Sequence, residues 1–174
     1  MRNKYKTRDK IINGFLELLK DHSYQEITIK DICKKASVSR MTYYRNFHTK
    51  EDLINYHFNQ IFLVFIRRLA TSHNKSIIDI ATIFFTLIKE DQFVMKMIVR
   101  NHLSMILLNR LKYYIEGLID ENVLKTREES SKLLVSLIAG GLTEIIITWT
   151  EDDMKESISS LAIFASKYMH FKIK

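Results

Sequence analysis

Between residues 28 and 50 the chain interleaves threonine, serine and tyrosine hydroxyls with the cations of Lys30, Arg40 and Lys50. Side chains of these types bind anionic oxygens and the edges of bases. Arg40 carries a planar guanidinium that suits both acceptors of a guanine edge, Lys50 can neutralise a phosphate, and Met41 offers an apolar tip that could meet thymine methyls. Charge points the same way. Residues 1–50 hold twelve Lys or Arg against five Asp or Glu, while residues 51–174 hold fifteen of each, so the whole surplus of +7 sits in the head. A basic head on a neutral body is the outline of a small domain that meets a polyanion and a larger one with another task.

Reading a base edge needs a helix narrow enough for the major groove and a second helix that braces it. Segment 28–47 supplies the pattern. Thr28 with Asp31 predicts a capping box for the bracing helix, which places Ile29, Ile32, Cys33 and Ala36 on one face. Ser37, Val38 and Ser39 form a turn with Val38 directed inward, and the reading helix runs from about Arg40 to Asn46. Its Ser39, Arg40, Met41, Thr42 and Tyr43 are available to bases, with Tyr44 and Phe47 spaced to hold it on its neighbours. Thr7 is expected to cap a first helix ending near His22, and Thr49 with Asp52 a fourth that runs to about Thr71. Later helices are expected at about 77–90, 92–100, 102–121, 128–150 and 153–171. With no proline and four glycines, the expected fold is all-α with about nine helices. A three-helix head over residues 1–50 is joined by the long fourth helix to a helical domain over 51–174.

The string from Ala36 to Phe47, followed by Thr49, Lys50, Glu51 and Leu53, resembles the N-terminal signature of the TetR/AcrR family of bacterial transcriptional regulators. The match reaches back through Ile32, Thr28 and Ile27 to the first helix. Ser37 and Met41 depart from it, since the family commonly has glycine at both positions. The resemblance implies phosphate contacts from Thr28, Lys30, Tyr44 and Lys50, and contacts to bases or nearby backbone from Ser39, Arg40, Met41, Thr42 and Tyr43. It also implies a homodimeric repressor on a palindromic double-stranded DNA operator, released when the C-terminal domain binds a small-molecule effector. Arg2, Lys4, Lys6 and Arg8 at the start either add minor-groove contacts or form a solvated basic tail.

In the body, Phe84, Phe85, Phe93, Met97, Met105, Tyr113 and Trp149, with His102 as a polar member, are the candidate lining for an apolar or aromatic effector, against plain core as the alternative. Residues 133–149 carry more apolar surface than one neighbour can bury, and Gly140 with Gly141 would let another backbone approach. Leu137, Gly140, Gly141 and Ile145, with Ile158, Leu161 and Ala165 of the last helix, are the candidate dimer interface, in the manner of the family's four-helix interfaces. Intrachain core is the other reading of that pattern.

The lone Cys33 is expected to be structural, and no two histidines lie three or four apart, so no metal site or cofactor is expected. No nucleophile and base pair or phosphate loop stands at useful spacing, which ranks an enzyme last. No charge-free stretch in the C-terminal half approaches a membrane span, so the expected setting is cytoplasmic, without a membrane partner. The main alternative is a helical dimer of the same kind that sequesters a protein partner, or activates transcription, without ligand-released repression.

Overall fold

The structure is a computed structural model that describes residues 2–72, 76–121, 123–125, 131–168 and 172–173. Nine α-helices occur among the described residues: α1 (Arg2–Leu18), α2 (Ile29–Lys35), α3 (Arg40–Tyr44), α4 (Lys50–Thr71), α5 (Ile77–Glu90), α6 (Gln92–Arg100), α7 (Ser104–Asp120), α8 (Ser131–Glu151) and α9 (Ile158–Tyr168). The two-residue strands β1 (Leu124–Lys125) and β2 (Lys172–Ile173) pair antiparallel. The expected helix starts and ends at residues 128 and 171 lie outside the described residues. The chain divides into two compact units, Met1–Asn59 and Gln60–Lys174. That division falls within α4, beyond residue 50, because Leu53, Ile54 and Phe58 of its first half are buried in the head.

In the head, Ile11, Ile12, Phe15 and Leu19 of the first helical segment, Ile32, Cys33 and Ala36 of the second, and Tyr43 and Phe47 of the third complete this core. α1 begins at Arg2, so Thr7 lies inside it and not at its start; Arg2, Lys4 and Lys6 ahead of it are good helix formers. The capping box at Thr28 forms as its spacing predicts: the Asp31 backbone N–H donates to Thr28 Oγ1 at 3.2 Å and the Thr28 N–H to Asp31 Oδ2 at 3.0 Å. Thr49 and Asp52 repeat it at the start of α4, at 3.1 and 2.9 Å.

The α2–α3 turn is a Schellman closure, with the Val38 N–H donating to the Cys33 carbonyl at 3.0 Å and the Ser37 N–H to that of Lys34 at 3.2 Å. Ser37 occupies the left-handed position with φ 52°, where a side chain costs energy and glycine does not. α1 crosses this turn at close quarters: a Cβ on Gly14 would stand 3.0 Å from the Ala36 backbone nitrogen. Glycine is needed there for space.

In the second unit, α9 packs along α5, and α8 lies against α7 and α6. Phe65 and Leu69 of α4 join Leu87, Leu118 and Leu124 in one buried cluster, rimmed by half-buried Ile61, Phe62, Ile83 and Phe84. Phe62 stacks on Tyr114 with ring centroids 4.2 Å apart. The α8–α9 turn holds two consecutive left-handed residues, Asp153 and Met154, both at φ 54°. Three side chains fix it: Lys89 donates to the Met154 carbonyl at 3.1 Å, Lys96 pairs with Asp153 at 2.9 Å, and Trp149 Nε1 donates to the Glu156 carbonyl at 3.0 Å. Among the described helices, α8 is long and apolar enough to cross a membrane by length and composition. It buries Val135, Ile138, Ala139, Ile146 and Trp149 inside the protein and leaves Leu133, Leu137 and Glu144 exposed, so one face is packed and the other lies at the surface.

Two measurements check this account of the head. Ser37→Gly should stabilise it by about 1 kcal/mol by removing the left-handed penalty, seen as slower hydrogen exchange of the amides of α2 and α3. The second concerns acid. Hydrogen bonds from the Thr28 side chain and backbone hold the Asp31 carboxyl below its usual range. At Asp52 partial burial is outweighed by the N–H groups of Thr49 and His48, with the same result. Both folded values are depressed, so their contribution is present above the unfolded value of about 3.9 and is lost as pH falls through the folded values. The unfolding midpoint should drop in that window, and Asp52→Ala should flatten the drop.

Candidate nucleic-acid interface

α3 is only five residues long, and its rotation is set by what it buries. Tyr43 is 0% exposed, and its hydroxyl donates to the Thr49 carbonyl at 3.0 Å. Its ring packs against Phe47, whose ring meets Tyr56 of α4 edge-on at 5.7 Å. Burial pushes the Tyr43 phenol up, so it stays a neutral donor. Tyr43 therefore cannot reach a base, and the holding role expected of Tyr44 belongs to Tyr43. Tyr44 stands 49% exposed, braced edge-on against the Tyr43 ring at 5.5 Å.

Opposite the buried Tyr43 and Phe47, helical spacing leaves two outward pairs, Arg40 with Tyr44 and Met41 with Arg45. All four are exposed, and Met41 is the most exposed large apolar residue among the described residues of the head at 71%. Ser39 caps α3, accepting the Thr42 N–H at 3.0 Å, and its Oγ lies 2.9 Å from Thr42 Oγ1. One hydroxyl hydrogen is spent between them, which leaves a single hydrogen for an outside acceptor.

The expected phosphate set is reshaped. Lys30 is exposed on the first turn of α2. Thr28, though at the surface, gives its hydroxyl hydrogen to Asp31 and its backbone N–H to the same carboxylate, so both donors are spent on the cap. Lys50 departs from the expectation altogether. Its ammonium donates to the carbonyls of Tyr24 at 2.5 Å and Ile27 at 2.7 Å, sits 4.4 Å from the Tyr24 ring centre, and is pushed down in pKa by burial. It ties the start of α4 to the α1–α2 loop, where a phosphate would have to compete with fixed carbonyls.

Of the basic start, Arg8 lies with its guanidinium 5.3 Å from the Tyr56 ring centre and 5.8 Å from that of Phe47. It braces α1 on α4 and on Phe47, between α3 and α4, and it is not part of a solvated tail. Arg45, at the C-cap of α3, and Lys34 and Lys35, in the last turn of α2, are exposed cations that the sequence reading passed over. The signal available for Arg45 was its i, i+4 relation to Met41. Cys33 is buried, and burial pushes its thiol up against the opposing pull of Arg40.

The candidate effector lining does not come together as expected. His102, Met105 and Tyr113 face solvent, the latter two at 61%, so they line no interior of this chain. Phe85 and Trp149 are buried against each other, edge to face at 5.9 Å, while Phe84, Phe93 and Met97 are half-buried. The candidate dimer residues also divide. Leu137 is 73% exposed, and a Cβ added to Gly140 or Gly141 would meet nothing within 4 Å. Ile145, Ile158 and Leu161 are half-buried, and Ala165 is buried on the side of α9 that packs on α5. The outward apolar residues of α9 are instead Ile163, Phe164 and Tyr168.

With this geometry in view, the comparisons with known proteins are consistent from end to end. Residues 11–56 match the profile of bacterial regulatory proteins of the tetR family, and residues 75–171 that of a transcriptional regulator C-terminal region. No curated protein sequence matches the chain. Among solved structures, a TetR transcriptional regulator from Streptococcus agalactiae superposes with TM-score 0.64 at 17% identity, covering 97% of this chain and 96% of that one. The transcriptional regulator FadR from Bacillus subtilis, solved in complex with stearoyl-CoA, gives 0.59 at 19% identity over 92% and 96%. The dihydroxyacetone kinase operon activator DhaS gives 0.59 at 15% identity over 94% and 93%. At these identities the structural likeness speaks for the fold, while the two profile matches cover the reading head and most of the body. The chain belongs to the TetR family of bacterial transcriptional regulators.

Proposed function

We propose that this regulator is a homodimeric repressor that reads a palindromic operator through α3 and releases it when the body binds a small apolar effector. The observation that carries the reading is the outward face of Arg40, Met41, Tyr44 and Arg45, exposed on the basic head opposite a fully buried Tyr43. A guanidinium suits a guanine edge, and the surrounding cations suit phosphates.

Dimerisation is supported by α8. Two glycines inside a helix cost about 1 kcal/mol each relative to alanine, yet nothing among the described residues occupies the space that a Cβ on Gly140 or Gly141 would take. Beside them stand Leu133 and Leu137, 78% and 73% exposed, and α9 adds Ile163, Phe164 and Tyr168. A second copy laid across this face by a twofold axis buries those leucines and uses the room over the glycines. Twofold symmetry would set the two heads on major-groove faces about one helical turn, or a multiple of it, apart.

The effector is supported by the half-buried apolar rim of Ile61, Phe62, Ile83 and Phe84, and the FadR structure shows one protein of this fold holding an acyl-CoA. A coupling of about 1.4 to 2.7 kcal/mol gives a tenfold to hundredfold loss of operator affinity, transmitted through α4, which is continuous across the division between the units.

Selection of bound duplexes from a random pool at near-physiological salt should enrich one palindrome. Arg40→Ala should lose a specific base position, whereas Tyr44→Ala should weaken binding evenly across sequences. Equal affinity for selected and random duplexes would instead favour a sequestering module. For the dimer, Leu137→Asp should leave the helical circular dichroism intact and halve the mass read by light scattering, with loss of operator binding. A mass unchanged by the charge would place the interface elsewhere.

A further inference from the structure

We propose that Met41 is a specificity-determining residue that reads the 5-methyl group of thymine, next to a guanine read by Arg40, in each half of the operator. This rests on the DNA-binding reading above and narrows it to one chemical feature of the duplex.

On the exposed surface of α3 several polar groups are already committed within the head. Tyr43 is enclosed and its hydroxyl is spent on Thr49. The Ser39 and Thr42 hydroxyls are bonded to each other and to the helix backbone, leaving one hydrogen between them. The free donors on the outward face are then the guanidinium of Arg40, the Tyr44 hydroxyl and the guanidinium of Arg45, beside the one hydrogen left to Ser39 and Thr42; of these Arg40 stands in the first turn of α3 with Met41. Its neighbour Met41 has no donor or strong acceptor to offer, yet it extends 71% exposed from the same turn. An unbranched thioether in water on a basic head gains only from an apolar contact, and the major groove presents one apolar group, the C5-methyl of thymine. Met41 and Arg40 are consecutive on α3, about 1.5 Å apart along its axis, which keeps both contacts within reach of adjacent base pairs.

Deoxyuridine differs from thymidine only by that methyl, so it isolates the contact from pairing and groove width. With the palindrome selected by the wild-type chain, each thymine of the half-site is replaced in turn by deoxyuridine and affinities are compared for wild type and Met41→Ala. One position should cost the wild type about fourfold per half-site, the equivalent of one buried methylene, and cost Met41→Ala nothing. A 5-methylcytosine opposite guanine at that position should recover part of the loss for the wild type alone. A half-site that tolerates deoxyuridine everywhere, contains no thymine, or loses equally in both proteins would overturn the assignment while leaving the regulator standing. Failure to enrich any palindrome would remove both. Met41 is at the surface, so its replacement does not disturb the core.

Discussion

The Tyr43 side chain, wholly enclosed and donating to the Thr49 carbonyl, fixes the rotation of α3 about its own axis. In a helix of five residues there is no long stripe to hold orientation, so one large buried ring decides which residues face water. Turning it by one position would bury Met41 or Arg40 and expose the ring. The same bond joins the reading helix to the start of α4, where the Thr49 cap and the Lys50 cross-tie to Tyr24 and Ile27 also converge. Reading helix, connector and α1–α2 loop are thus referenced to a few atoms within the head.

The body is organised differently. Its strained α8–α9 turn is held by side chains from α5 and α6, and its buried cluster draws on α4, α5 and α7. What it leaves unfilled is as informative as what it packs. The open space above Gly140 and Gly141 lies on the same face as two of the most exposed leucines in the chain. A lone protomer gains nothing from glycine at those two positions.

Local features were legible in the sequence because their causes are local. Both capping boxes, at Thr28 and Thr49, follow from residues three apart, and α5 and α6 have the expected bounds because Ser76 caps one and Asp91 separates the two. Ser37 stands where the resemblance has glycine, and its backbone is left-handed. The errors arose where a choice depends on distant partners. Tyr43 and Tyr44 are identical in type, and only the packing of α4 and Phe47 tells them apart. Lys50 reads as a phosphate ligand until the carbonyls of Tyr24 and Ile27, more than twenty residues earlier, are seen around it. α9 has apolar residues on both sides, so its inner face, with Ala162 and Ala165, is chosen by α5 and not by its own periodicity.

The burial of Cys33 has a practical side. It is the sole cysteine of the chain, and it is enclosed on the inner face of α2 with its thiol pushed up. A maleimide dye reacts with exposed thiolates and would pass it by. A reporter cysteine placed on any exposed helix can therefore be labelled in the otherwise native sequence, and fluorescence between two such copies would follow the separation of the heads directly.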